Sequence, residues 1–548
     1  MKFENILAEV NGFGRFQIRT MFLLVFARMT LPFHFLLNNL ITAIPGHHCD
    51  ISALDDTHGA FTNVSVAQKL KATIPAREDG HPSSCEMFAE VQYNFLLNFT
   101  NVSNSATVPC PNGWVYDKTT FQSTLATEWD LVCDNIRLNK AIVTIFFTGV
   151  TLGSVVFGYL SDRFGRKKML LLSYIVSTTF GFASAYSNHF AAFAVMRFFT
   201  GCGLAGISII TIVLCVEWVD IKHRTLMTVL MSLDWSLGVM ILPLIGHFVT
   251  DWRGLIIATT SPLFVAMICW WWVPESARWL LSNGKVHSAH YYLSMCTKVN
   301  HREEFMAKIK PEVLTNVVLV EDENRKYSYV DLVRTPRMRR LTLFTGVVWF
   351  GLASSYYGIS LNIEGFGVNI HLTQFIYGVI EIPSKLMVLV AVERVGRRFC
   401  QSGTLSLTGL CIFINMFIPK GEVRTALGAL GKMFSEGAFT CVFLFTTELY
   451  PTVLRQNGLG YCSFLARTGV AVAPMILLLE EFWVHFPSII FCVLGFIAGT
   501  LAAFLPETRN TRLPETIEDV EQNRYCFNVI EVCAATEAIL KVTIKSLY

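Results

Sequence analysis

FGRKK, residues Phe164 to Lys168, returns as VGRRF, residues Val395 to Phe399, placing Arg166 and Arg397 231 positions apart. Each stretch ends an apolar run with a glycine and a cluster of cations. The same interval separates Glu217 in EWVDIKHRT from Glu448 in ELYPTVLRQ, and Arg224 from Arg455. Glu275 in PESARWLL and Glu507 in PETRNTRL lie 232 apart. One long period with this many matches means two homologous halves. Paired halves with a binding site between them are the plan of many secondary transporters.

The material between the matches is apolar. The 548 residues are 53% hydrophobic and only 16% charged, against about 25% charged in an ordinary soluble domain. A span needs about 20 apolar residues. Twelve such windows occur: about 20–41, 139–160, 168–187, 190–216, 226–249 and 255–273, then 341–361, 371–392, 399–418, 424–447, 457–479 and 485–505. The first is long enough to act as an uncleaved anchor. The predicted fold class is therefore all-α and membrane-embedded, with twelve transmembrane helices in two six-helix pseudo-repeats. The expected organisation is a cytoplasmic N-terminus (1–19), a first half (20–273), a linker (274–340), a second half (341–505) and a cytoplasmic tail (506–548). In the tail, VIEVCAATEAILKVTI has the pattern of a short amphipathic helix.

Two hydrophilic loops set the orientation. Residues 45–138 carry the sequons of Asn63, Asn98 and Asn101 and four cysteines, Cys49, Cys85, Cys110 and Cys133. Together they imply an oxidising, glycosylating outer side. Four cysteines allow three pairings, and the sequence does not choose among them. Residues 275–340 hold twelve Lys and Arg, so this loop faces the cytoplasm. Both termini then lie inside. The net charge of +3 gives no reason to expect a nucleic-acid partner. The absence of a CxxC pair argues against a zinc site, so no metal or cofactor is expected. GCGLAG, Gly201 to Gly206, matches GxGxxG only formally. It lies inside an apolar span, where small residues let helices approach.

GYLSDRFGRKK, VLCVEWVDIKHRT, PESARWLL and ELYPTVLRQNGLG, with the long sequon-bearing loop, resemble solute carrier family 22 of the major facilitator superfamily. The resemblance covers about residues 8–520. FGRFQI, the run WFGLASSYYGISLNIEGFGVNIHLTQFIYGVIEIPSKL and LARTG resemble its organic anion branch, and within it the type that carries nicotinate and urate. This implies a plasma-membrane, monomeric transport unit that exchanges a small organic anion for a counter-anion. Two readings stand beside it, a carrier of organic cations or zwitterions such as carnitine, and a receptor or sensor that no longer transports. The motif charges Asp162, Arg163, Arg166, Glu217, Arg224, Glu275, Arg394, Arg397, Glu448, Arg455 and Glu507 are expected to pair at the cytoplasmic face. Such pairs would hold the halves together when the cavity opens outward.

Arg467 lies ten residues into its span, roughly 15 Å deep and near the midplane. Its own helix offers no acid before Glu480. Lys385 lies at similar depth. Two cations at the midplane favour an anion, and the planar fork of Arg suits a carboxylate. The resemblance assigns both positions to substrate. Glu381 precedes Lys385 by four residues and would neutralise it on one helix face; Lys432 and Glu436 read as another such pair. Asp234, inside span five, departs from the anion pattern. It is expected to bind Lys385, to favour zwitterions or to take a coupled proton. Arg28 in span one is expected to snorkel. Trp235, Tyr356, Tyr357, Phe439 and Phe443 would stack on a flat substrate, and Asn39 is a further candidate. Arg197 in span four reads as conformational.

Overall fold

The computed structural model describes residues 3–52, 64–76, 82–92, 106–220, 223–304, 314, 328–362, 369–419, 421–451, 453–509, 514 and 516–522. Asn63, Asn98, Asn101 and most of the tail, 523–548, lie outside them.

Twelve long helical segments among the described residues form the body. The first six are α1 (Arg15–Ile41), α2 (Ile136–Phe164), α3 (Arg166–Ala185), α4 (Phe190–Trp218), α5 (Arg224–Phe248) and α6 (Trp252–Trp272). The second six are α7 (Pro336–Leu361), α8 (Ile370–Arg394), α9 (Arg397–Asn415), α10 (Glu422–Leu449), α11 (Arg455–Leu477) and α12 (Phe486–Ala503). Ten of these are long and apolar enough to cross a membrane by composition; α7 and α9 fall short. In α7 the cause is Ser354, Ser355, Tyr356, Tyr357 and Ser360, all buried. In α9 it is the polar run Arg397–Thr404. α9 still buries one face against the bundle, and α7 is buried all round from Gly351 to Ser360. α1 is broken at Met29 and Leu37.

Within the first half α4 packs on α2 and α3, and within the second α7 packs on α11 and α12. Glycine makes the closest approaches. A Cβ at Gly201 would stand 2.5 Å from the Phe146 carbonyl, and one at Gly149 would strike the Phe198 carbonyl. These are α4 and α2 in backbone contact, the use expected of small residues in membrane helices. The halves meet through α5 against α8 and α2 against α11.

The outer loop is tied by short antiparallel pairs, His47–Cys49 with Trp114–Tyr116 and Glu86–Phe88 with Thr107–Pro109. The disulfides are Cys49–Cys110 and Cys85–Cys133. His47 lies close to the latter pair, but these sulfurs are bonded to each other and are not thiolate ligands. Between the halves Ala277–Ser282 and Val286–Val299 form short helices. Asn300 ties the latter to the N-terminal segment, donating to the Val10 carbonyl at 3.0 Å and accepting from the Phe16 N–H at 2.9 Å.

Candidate substrate site at the midplane

Four buried charges from α8 and α10 form the centre of the site. Glu381 is 0% exposed, Lys432 1% and Lys385 2%. They do not pair along their own helices as the four-residue spacing suggests. Lys385 Nζ lies 3.3 Å from Glu436, and Lys432 Nζ lies 3.3 Å from Glu381. The pairs are exchanged between helices. The reason is packing: α8 and α10 turn their polar faces toward each other. Lys385, Lys432 and Glu381 also gain hydrogen bonds from α5 and α7 that they would lack on their own helices, and buried charges need every such partner.

Those bonds knit five helices together. Lys385 Nζ donates to the Ser232 carbonyl and to Ser236 Oγ of α5, both at 2.7 Å. Ser236 Oγ donates in turn to Glu381 at 2.9 Å. Tyr356 of α7 donates to Glu381 at 2.9 Å and accepts from Trp235 Nε1 at 3.2 Å. Lys432 Nζ donates to Ser360 Oγ at 2.8 Å and stands 3.0 Å from the centre of the Tyr356 ring. Asn39 of α1 donates to the Ser360 carbonyl at 2.8 Å. Sequence reading missed Ser232, Ser236 and Ser360. Their signal was weak, because single serines are common in membrane helices.

Asp234 does not bind Lys385. It accepts Arg28 Nε at 2.6 Å and Arg28 Nη2 at 3.2 Å. Arg28 also donates to the Met231 carbonyl at 3.3 Å. Arg28 therefore does not snorkel; α1 crosses α5 where the carboxylate can take its fork bidentately. Arg197 is fully buried and donates to the His34 carbonyl at 3.3 Å and to Asn38 Oδ1 at 3.4 Å, above the Phe146 ring.

Arg467 differs from all of these. It is half-buried. Among the described residues its side chain has no ion pair, and its Nε has no hydrogen-bond partner. Tyr357 is the group near enough to interact with its charge. Its backbone carbonyl accepts from Thr151 of α2 at 3.3 Å. From Tyr357 runs a wall of touching aromatic rings. Phe35, Phe147 and Trp235 come from the first half, and Tyr356, Tyr357 and Phe439 from the second. Phe147 meets Tyr357 at 5.3 Å, and Phe439 meets Tyr356 at 5.0 Å. Phe35 and Phe147 were not anticipated. Phe443 stands apart, 47% exposed and edge-on to Trp349.

The motif charges form two matching clusters. Arg166 pairs with Glu217 at 3.1 Å and Asp162 at 2.7 Å. Glu275 accepts the backbone N–H groups of Arg166, Lys167 and Ser276 at 2.9 to 3.2 Å. Burial raises the Glu275 carboxyl from its ordinary value, while those N–H groups pull it back. Arg397 pairs with Glu448 at 3.0 Å, and Glu507 accepts from the Arg397 and Arg398 N–H groups at 2.9 and 3.0 Å. Gly165 and Gly396 have φ of 108° and 101°, and a Cβ there would stand 2.8 and 2.6 Å from Glu275 and Glu507. Only glycine fits. Arg163 and Arg394 lie exposed beside the clusters. Arg455 begins α11; Arg224 begins α5, with its side chain outside the described residues. These ion pairs run within each half. In this structure Glu275 and Glu507 cap the N-termini of α3 and α9 in their own repeats, where backbone donors are nearer than the other half; the expectation that motif pairs hold the halves together concerns the outward-open state.

Several hydrogen bonds among the described residues do join the halves. They include Asn39 to Ser360, Trp235 to Tyr356 and, at the outer ends, Arg137 to Glu481 at 2.9 Å.

The Major Facilitator Superfamily model matches residues 136–423. The inward-open xylose transporter XylE from E. coli superposes with a TM-score of 0.59 at 15% identity, covering 91% of this chain and 99% of its own. Solute carrier family 22 member 7 of Bos taurus is 44% identical over 536 residues, 95% of this chain and 96% of the relative. The Homo sapiens member 7 is 45% identical over 534 residues, with the same coverage. Member 6-A of Xenopus laevis is 38% identical over 529 residues, 95% and 94% of the two chains. With two helical halves around a charged midplane and relatives matched end to end, the chain belongs to solute carrier family 22 of the Major Facilitator Superfamily, whose members are membrane transporters and not enzymes.

Proposed function

We propose that the chain moves small organic anions across the plasma membrane by alternating access, with Arg467 as the anion's anchor. The carrying observation is a charge count. Lys385 and Lys432 are balanced by Glu436 and Glu381, and Arg28 by Asp234. Arg197 is sealed from solvent. Arg467 alone of these cations is both half-open and unpaired with an acid among the described residues. A carboxylate would restore the balance and take two N–H bonds from its fork. Tyr357, Tyr356 and Phe439 supply faces and edges for a flat substrate. By the family resemblance, nicotinate, urate and related monocarboxylates are the proposed substrates, and exchange against an intracellular anion is the proposed drive.

In this reading Lys385 is a strut rather than a free ligand. Its Nζ already has three partners, and it meets substrate only by releasing Glu436. The cation or zwitterion reading drew on Asp234, and that carboxylate is occupied by Arg28.

The test is uptake of labelled nicotinate and urate into cells expressing the chain, beside Arg467→Ala and Arg467→Asp at matched surface level. Saturable uptake that an internal anion stimulates, and that both variants lack, supports the reading. Equal uptake by the variants removes Arg467 from it. Inhibition by tetraethylammonium in place of organic anions favours the cation carrier.

A further inference from the structure

A small cavity of about 50 Å³ opens at the outer end of the second half, between α7, α9, α10 and α12. Glycines make the room. Gly358, Gly428 and Gly431 line it; a Cβ at Gly358 would stand 2.7 Å from the Phe491 ring, and one at Gly431 3.2 Å from Cys411 Cβ. Ile359 and Phe491 supply apolar wall. Four polar residues line this space, Asn362, Ser488, Arg424 and Asn415. Arg424 Nε and Asn415 Oδ1 are both buried and lack a hydrogen-bond partner among the described residues. Arg424 Nη1 reaches only the Ile418 carbonyl, at a long 3.5 Å. Buried polar atoms are rarely left unpaired, and two in one cavity ask for an occupant.

We propose that this cavity is a second ligand site, separate from the midplane, that takes the carboxylate end of a small aliphatic monocarboxylate. The guanidinium supplies N–H donors to the anionic oxygens. Asn415 supplies an amide whose orientation is free to follow the ligand. The glycine-cleared, apolar wall takes two or three carbons. Size sets the class: one water needs about 10–15 Å³ of such space, whereas sites for drug-sized aromatic ligands run to about 300–1,000 Å³. The cavity is too small for the transported substrate proposed above. The carboxylate has two sources, a free acid from outside the cell or the serine headgroup of a phospholipid.

The position gives the site a consequence. Gly358 follows Tyr357 on α7, and Gly431 precedes Lys432 on α10. Neighbouring helix residues point about 100° apart. An occupant therefore braces the adjoining faces of the two helices that carry midplane side chains, and it adjusts their movement without touching the substrate.

The experiment is thermal unfolding of the purified full-length transporter in detergent, with sodium propionate or sodium chloride at equal ionic strength. Propionate should raise the midpoint by about 2 °C over chloride. The rise should persist in Arg467→Ala, shrink in Arg424→Lys and vanish in Arg424→Gln. Because the readout is the difference with and without ligand, a lower starting stability does not obscure it. Asn415→Leu serves if Arg424→Gln does not fold. A rise seen only after reconstitution with phosphatidylserine, and lost in Arg424→Gln, assigns the same site to the lipid headgroup. Equal responses in wild type and Arg424→Gln, loss of the response in Arg467→Ala, or no response to either ligand overturns the proposal.

Discussion

A guanidinium at midplane depth costs roughly 2.5–3.5 kcal/mol on insertion scales, and most charges here offset that cost by pairing. Arg467 does not. Lysine at this position keeps the charge but loses the fork. Arg467→Lys should therefore keep measurable anion uptake with KM raised about tenfold, the size of one lost charge-assisted bond; concentration-dependent uptake at matched surface level reads it. The exchanged pairs make a different prediction. Removing one partner of a buried pair costs about 3–5 kcal/mol, whereas replacing both with apolar groups is close to neutral. Lys432→Met should lower the unfolding midpoint sharply, and Lys432→Met with Glu381→Leu should recover most of it. Equal midpoints in the single and double variants would show that the pair is not what stabilises the site.

At the scale of elements, the sequence marked where helices run. The notable cases are α7 and α9, whose polar residues keep them below the composition of an ordinary span. Their apolar runs were still readable, because a helix buried in a bundle needs only enough apolar surface to reach its neighbours and lipid. Partner choice between helices was not readable. Glu381 and Lys385 share a helix face, yet each charge found its counter-ion on α10, and Asp234 found its own on α1. Local spacing ranks neighbours along one helix; it is blind to the face presented by another. The α2–α4 contact gives the prediction at this scale. Gly201→Val places a branched side chain against the Phe146 carbonyl, where no flexible side chain is available to move. Loss of folded protein, read as surface level and monodispersity after extraction, should exceed that of Gly403→Val, where a Cβ meets nothing within 4 Å.

For the molecule as a whole, the proposed alternating access requires the halves to separate where Arg137 and Glu481 meet. Arg137 and Glu481 face each other across the halves at the outer ends of α2 and α11, Nη2 to carboxylate at 2.8 Å. Both are exposed enough to label, the Arg137 side chain at 71%. Cysteines at these two positions, joined by a short reducible cross-linker, should hold the outer side shut. Uptake should fall to background and return on reduction, while either single cysteine remains active. Persistent uptake in the cross-linked protein would show that these ends need not separate.

The sequence by itself determined the apolar spans, the repeat and the family, and it singled out Arg467. All of these rest on local composition or on intervals along the chain. Hydropathy, charge bias and motif spacing are properties of short segments, and a repeat is self-similarity between them. Only the tertiary structure decided how the four outer cysteines pair, which acid neutralises which lysine, that Arg28 occupies Asp234, and that the motif carboxylates cap helices within their own half. Each of these depends on how two helices or loops distant in sequence face each other. In a low-dielectric interior a charge settles where its hydrogen-bonding groups converge, and that convergence exists only once the halves have packed.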